Sequence, residues 1–259
     1  MIDTHAHLDD EGFAADLPQV LERAVAAGVE AIICPGIGAE SSEAVVRLAE
    51  SHAILHAAAG IQPNYGKEAA EGDWDRIVAL VENGAAVAIG ETGLDRYWDF
   101  TPFEVQRDYF DRHLQFAQKR DLPVIIHCRE AEAETLKMLR EAIARGPLRG
   151  VIHAFSGNED FAAACLDLGM YISLAGPATY TNKKFESLRL AAKIVPDDRL
   201  LIETDSPYLV PHPLRGKQNR NEPALIRYTA KGLAELRGMP VEDLIALTTA
   251  NARALFRIC

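Results

Sequence analysis

Residues 123–127 read PVIIH, a short apolar run that ends in a histidine. Other apolar runs end similarly, at His5 and His7 after MID, Glu91 after VAIG, His153 after GVI and Asp205 after LLIET. Parallel strands that are covered on both faces are almost continuously apolar. In a barrel of such strands the C-terminal ends meet at one face. These six side chains, with His127 among them, are therefore predicted to converge as N and O ligands of a metal site.

Strand-like runs alternate with amphipathic helical patterns along the whole chain. Strands are predicted at residues 1–5, 31–34, 54–58, 86–89, 124–127, 150–153, 170–174 and 200–203. Helices are predicted near residues 16–27, 41–51, 74–82, 102–120, 133–144, 159–167, 184–194, 223–236 and 241–256. About eight strand–helix units favour an α/β fold of the (β/α)8 TIM-barrel type, with an extra C-terminal helix. Because no linker or low-complexity tract interrupts the pattern, residues 1–259 are predicted to form a single domain.

Composition limits the partners. A net charge of -11 argues against a passive nucleic-acid-binding module, because affinity for the phosphate backbone comes from Lys and Arg. No apolar run approaches the ~20 residues of a membrane span, and no signal-type segment precedes the first motif. We therefore expect a cytoplasmic protein without a membrane partner. A monomer is compatible with the sequence, which does not define the oligomeric state.

The ligand types limit the metal. Four imidazoles and two carboxylates suit magnesium, manganese or zinc. Six ligands are too many for one catalytic ion that keeps open positions, so two divalent ions about 3.5–4 Å apart are predicted, with Glu91 as the shared carboxylate. Strand parity places Asp3 on the face of His5, and Glu203 on the face of Asp205. Asp3 and Glu203 are predicted to orient the ligating imidazoles.

Basic residues cluster in loops that follow the strands. Arg129 comes two residues after His127, and Arg215, Lys217 and Arg220 lie in the loop after the last strand. His212 belongs to the same loop and is a further candidate for substrate contact. Loops at the C-terminal face of a barrel carry function, so phosphate binding is the favoured interpretation; the alternative is a solvated loop tip.

Several motifs together resemble the TatD-like metal-dependent deoxyribonucleases of the amidohydrolase superfamily. The matching segments are DTHAHLD at 3–9, IGETGLD at 89–95, PVIIHCREA at 123–131, GVIHAFSG at 150–157, ETDSPYL at 203–209, PHPLRGKQNRNEP at 211–223 and TTANARALF at 248–256. The chain differs from the family in two places. Gln62 stands where the family often has the histidine of GIHP, and the RGKQNRNEP loop is slightly longer than the usual RGKRNEP. Gln62 can hydrogen-bond a phosphate but carries no charge.

The resemblance implies a TIM barrel, divalent metal and hydrolysis of DNA phosphodiester bonds, often as a 3′–5′ exonuclease on single strands or 3′ ends. It also implies how the ligands divide: His5, His7, Glu91 and Asp205 for one ion, and Glu91, His127 and His153 for the other. In the mechanism expected for such a site, Asp205 accepts the proton of the attacking water as general base. Glu91 acts as the bridging carboxylate.

Two other functions remain open. Esters, lactones or amides are hydrolysed by amidohydrolase-type enzymes with a similar His-x-His…His…His…Asp pattern. Many of those enzymes bridge their ions with a carbamylated lysine, whereas Glu91 occupies that place here. A non-catalytic metal-binding scaffold is the other alternative, and metal-dependent turnover of any substrate would exclude it.

Overall fold

Eight parallel strands form one sheet in the order in which they occur along the chain. The structure is a computed structural model and describes residues 1–258. The strands are β1 Ile2–Asp3, β2 Ala31–Pro35, β3 Leu55–Ala59, β4 Ala88–Asp95, β5 Val124–Arg129, β6 Gly150–Ile152, β7 Tyr171–Leu174 and β8 Leu200–Ile202. Beyond β1 and β8 the chain continues the pairing, because Thr4 N donates to Ile202 O at 3.2 Å and Asp205 N donates to His5 O at 2.9 Å. These bonds close the ring and confirm the predicted (β/α)8 barrel.

Helices follow the strands around the outside of the barrel. Within residues 1–258 they are α1 Leu17–Ala26, α2 Ala39–Ser51, α3 Asp73–Glu82, α4 Phe103–Arg120, α5 Glu132–Arg145, α6 Glu159–Asp167, α7 Glu186–Ile194, α8 Ile226–Arg237 and α9 Val241–Phe256. In this part of the chain, no helix combines the length and the apolarity needed to cross a bilayer.

The extra C-terminal helix α9 closes one end of the barrel. Ile125 and Leu201 precede candidate ligands on their strands, and they pack in one buried cluster with Leu255 and Phe256 of α9. This apolar plug lies at the N-terminal side of the strands. The C-terminal ends of the strands, which carry the candidate ligands, therefore face the opposite, open end.

Strand β4 extends further than the sequence predicted, because it runs to Asp95 rather than ending at residue 89. Ile89 pairs with Val124 but Thr92 pairs with Ile126, so β4 contains one extra residue at a bulge. A Cβ at Gly93 (φ 142°) would lie only 2.0 Å from the His127 carbonyl oxygen, so this close pairing requires glycine. Bulges re-aim side chains, and this one presents Glu91 at the mouth of the barrel.

A buried histidine connects helix α4 to the chain after β3. The Ile61 N–H donates to His113 Nε2 at 3.0 Å, so the Nδ1–H donates to the Tyr109 carbonyl at 2.6 Å. Burial lowers the pKa of His113 to about 4, because a charged imidazole would lose its hydration. The neutral ring is therefore part of the folded structure.

Acidification should weaken the fold through His113. Its pKa is about 4 when folded and about 6.5 when unfolded, so its contribution is complete above pH 6.5 and is lost as the pH falls towards 4. Between about pH 8 and pH 5 this removes roughly 2 kcal/mol from the free energy of unfolding. His113→Gln keeps a hydrogen-bond acceptor for the Ile61 N–H but does not titrate. In urea titrations, the difference between wild type and variant in the free energy of unfolding should therefore become smaller at low pH. A constant difference would contradict the prediction.

Candidate metal centre

All six predicted ligands meet at the open end of the barrel. They form three overlapping groups whose ligand atoms lie within 4.8 Å of one another: His5 with His7 and Glu91, Glu91 with His127 and His153, and His5 with His153 and Asp205. Metal–ligand bonds of about 2.0–2.2 Å place neighbouring ligand atoms at such separations. Two of the groups share Glu91, whereas Asp205 is grouped with one histidine from each of the two ligand sets that the family resemblance implied.

Glu91 is the centre of the cluster, and its two oxygens face different histidine pairs. Oε2 lies 3.3 Å from His5 Nε2 and 3.6 Å from His7 Nε2. Oε1 lies 3.0 Å from His127 Nδ1 and 3.1 Å from His153 Nε2. Burial alone would raise the pKa of Glu91, but the surrounding imidazoles hold this pKa well below its usual range. A buried, charged carboxylate with one oxygen toward each pair has the geometry of a bridging ligand.

Asp205 lies at the edge of the cluster, where the chain leaves β8 with a positive φ of 54°. Its Oδ1 is 3.8 Å from His5 Nε2 and 3.6 Å from His7 Nε2, longer than the closest Glu91 contacts. Burial raises the pKa of Asp205 to about 7. With 13% of its side chain exposed, against 3% for Glu91, Asp205 can reach both a cation and a substrate in the cavity.

The arrangement of the candidate ligands suits divalent cations. His5 Nε2 and His7 Nε2 approach to 3.1 Å, and the His5 ring stacks on the His153 ring with centroids 3.9 Å apart. Burial, reinforced by His153, lowers the pKa of His5 to about 4. A neutral His5 ring whose Nε2 converges with a second ring nitrogen in this way is suited to bind a cation, which relieves the repulsion between the lone pairs.

Glu203 and Asp3, predicted to orient imidazoles, have different contacts. Glu203 Oε1 lies 3.5 Å from His153 Nδ1 and accepts a hydrogen bond from Ala154 N at 2.6 Å, which places this carboxylate beside a candidate ligand. Asp3 has no hydrogen bond to an imidazole ring. It accepts from Thr204 N at 2.9 Å and Thr204 Oγ1 at 2.6 Å, and therefore fixes the segment that carries Asp205.

Asp95 is the residue whose role the sequence did not reveal. Its Oδ2 lies 2.9 Å from His127 Nε2, the ring nitrogen that faces away from Glu91. Burial disfavours a charged His127, but the contacts with Asp95 and Glu91 outweigh it and raise the His127 pKa. A carboxylate on the far nitrogen fixes the tautomer and the orientation of a ligating imidazole. Only the bulge in β4, which the sequence did not predict, brings Asp95 to this position.

The predicted substrate-binding residues separate into two groups. Arg129, Arg215 and Gln62 line the cavity above the cluster, whereas Lys217 and His212 do not. Gln62 also accepts a hydrogen bond from Asn64 N at 2.7 Å. The basic island around Arg215 is smaller than its sequence indicates, because Arg220 is paired with Asp16 through two 2.7 Å hydrogen bonds.

The barrel and its cluster of histidines and carboxylates define the class of metal-dependent hydrolases. Residues 2–257 match the model of the family described as TatD related DNase, and the chain belongs to the TatD family. It is 39% identical over 258 residues to the uncharacterized metal-dependent hydrolase YabD of Bacillus subtilis, with 100% of this chain and 99% of YabD covered.

A second relative and a solved structure are also similar over their full lengths. The 3'-5' ssDNA/RNA exonuclease TatD of Salmonella typhimurium is 34% identical over 260 residues, which cover 100% of this chain and 99% of the relative. The crystal structure of YJJV, a TatD homolog from Escherichia coli, superposes with a TM-score of 0.92 at 32% identity, covering 100% of this chain and 98% of that one.

Proposed function

We propose that this chain is a 3′–5′ exonuclease that hydrolyses DNA phosphodiester bonds with two divalent ions. The observation that carries the proposal is Glu91, whose Oε2 faces the His5–His7 pair while its Oε1 faces His127 and His153. A single ion does not need a carboxylate that divides its oxygens between two ligand pairs. Two divalent ions held by these residues would supply positive charge for a phosphoryl group and would lower the pKa of a bound water.

The protein's own residues would then perform the remaining tasks. Asp205 accepts the proton of the attacking water, since its carboxylate lies beside the cluster and is open to the cavity. Asp95 and Glu203 keep His127 and His153 in position. Arg129 and Arg215, which line the cavity, hold phosphates of the substrate.

Several features favour a nucleic acid over a small ester, lactone or amide. The cavity, about 1600 Å³, exceeds the roughly 300–1,000 Å³ of ordinary small-molecule pockets. Guanidinium groups on its wall suit phosphates better than neutral esters. The Salmonella relative, named as a 3'-5' ssDNA/RNA exonuclease, covers the full length of this chain.

The proposal is tested with metal-stripped protein reloaded in turn with magnesium, manganese and zinc. Each form is incubated with single- and double-stranded DNA labelled at the 3′ or the 5′ end. Metal-dependent release of mononucleotides from the 3′ end is the expected result. Intact DNA under every metal, with bound metal confirmed by elemental analysis, would overturn the proposal and favour ester or amide substrates.

Arg215 and Lys217 provide a matched pair of single-charge variants. The Arg215 guanidinium lies 4.0 Å from the centroid of the Tyr180 ring on the cavity wall, whereas Lys217 is exposed outside it. Losing one charge-assisted contact of about 1.5 kcal/mol in Arg215→Gln should raise KM for DNA roughly tenfold and weaken its salt dependence by about one phosphate contact. Lys217→Gln should change KM far less. Equal effects in initial-rate measurements at several salt concentrations would contradict this placement.

A further inference from the structure

A ridge of exposed aromatic side chains borders the candidate metal centre. Tyr97, Trp98 and Phe100 follow β4, and they are 49%, 42% and 55% exposed. All three line the same cavity as the candidate ligands. We call them the aromatic ridge. Three neighbouring aromatic rings left open to solvent on one loop are typical of a binding surface.

The rings are ordered relative to one another. Trp98 and Phe100 lie nearly parallel, with an interplanar angle of 10° and centroids 5.2 Å apart, while Tyr97 meets Trp98 edge to face at 4.7 Å. Asp95 Oδ1 accepts hydrogen bonds from Tyr97 N at 2.8 Å and Trp98 N at 3.0 Å, which fixes the start of the loop. Since Asp95 Oδ2 contacts His127, one carboxylate positions both the ridge and a candidate metal ligand.

A positive charge accompanies the ridge. The Arg129 guanidinium lies 3.7 Å from the centroid of the Tyr97 ring and 5.7 Å from that of Trp98. Flat aromatic faces beside a guanidinium suit a ligand with planar rings and negative charge. A purely apolar partner would leave Arg129 without a counter-charge, so the chemistry favours a nucleotide chain.

We propose that the aromatic ridge is a base-stacking subsite, on which Trp98 and Phe100 stack unpaired bases of the strand that enters the cavity. The subsite rests on the proposed nuclease function and deepens it, because it specifies which residues select unpaired nucleotides. Bases within a duplex already stack on their neighbours, so they present no free face to the ridge. Because every base has such a face, the ridge selects single strands over duplexes and does not select a particular sequence.

The test measures binding and turnover separately. Holoenzyme is titrated with two oligomers of the same length and the same cleavage-resistant phosphorothioate linkage, an oligothymidylate and an abasic oligomer. Binding is followed by Trp98 emission and by the anisotropy of a label on the oligomer. Wild type should prefer the oligomer that carries bases. Trp98→Ala and Phe100→Ala should each weaken its binding roughly 10- to 100-fold, while Trp98→Phe keeps most of it. Tyr228→Ala is the matched control, since Tyr228 also lies near a guanidinium but not in the cavity.

Turnover and metal content then separate stacking from damage to the metal centre. Trp98→Ala should keep the metal content of wild type in elemental analysis, while its KM for single-stranded DNA rises in parallel with the binding loss. Equal binding of abasic and base-carrying oligomers would overturn the subsite without affecting the proposed function. A dimer in sedimentation velocity that Trp98→Ala dissociates would also overturn it, by making the ridge an interface. If wild type degrades no nucleic acid under any metal, the nuclease proposal fails, and the binding data still decide the ridge.

Discussion

Replacing Glu91 by glutamine is expected to remove one of the two proposed ions and to lower turnover more than about a thousandfold. Glutamine keeps one oxygen but presents an amide NH₂ to the other histidine pair, and an NH₂ group cannot bind a cation. With Glu91 only 3% exposed, no water replaces the lost oxygen easily. A thousandfold loss corresponds to about 4 kcal/mol of lost transition-state stabilisation.

Elemental analysis together with steady-state kinetics measures this effect. Wild type should retain about two ions per chain, and Glu91→Gln about one. Glu68→Gln is the matched control, because Glu68 is another carboxylate on the cavity wall that has no close contact with the candidate ligands. Equal metal content in wild type and Glu91→Gln would show that Glu91 does not bridge two ions.

The barrel and the convergence of its candidate ligands were predictable because both are encoded locally. Apolar strands such as residues 124–127 are recognisable from their own sequence. In a barrel, a polar residue at the C-terminal end of each strand lies at the same open face as the others. The strand parity of Glu203 also predicted that its side chain points into the barrel, where Oε1 lies 3.5 Å from His153 Nδ1. For these strands, the local sequence pattern agrees with the overall architecture of the barrel.

Contacts between distant residues could not be predicted in this way. Asp3 contacts Thr204 across the closed barrel rather than an imidazole, and Arg220 is neutralised by Asp16 from the other end of the chain. Asp95 reaches His127 only because the bulge in β4 continues the strand past Glu91. Periodicity does not encode such partners, since each depends on how two separate segments pack.

Replacing Asp205 by asparagine should separate proton transfer from metal binding. Asparagine has nearly the same shape and keeps an oxygen beside His5 and His7, but it cannot accept the proton of the attacking water. Losing a general base typically lowers turnover by about 10²- to 10⁴-fold. The Asp205 contacts with His5 and His7, at 3.6–3.8 Å, are also longer than the closest Glu91 contacts with the histidines, so the metal content should change little.

Metal content and kinetics of the same preparation distinguish the possible roles of Asp205. We expect about two ions per chain, a KM for DNA close to that of wild type, and a strongly reduced kcat. Asp9→Asn, which alters a different carboxylate on the cavity wall, should leave kcat nearly unchanged. Turnover close to wild type would exclude Asp205 as the base. Loss of an ion would instead show that Asp205 is an essential ligand, whose negative charge is needed for metal binding as proposed for Glu91.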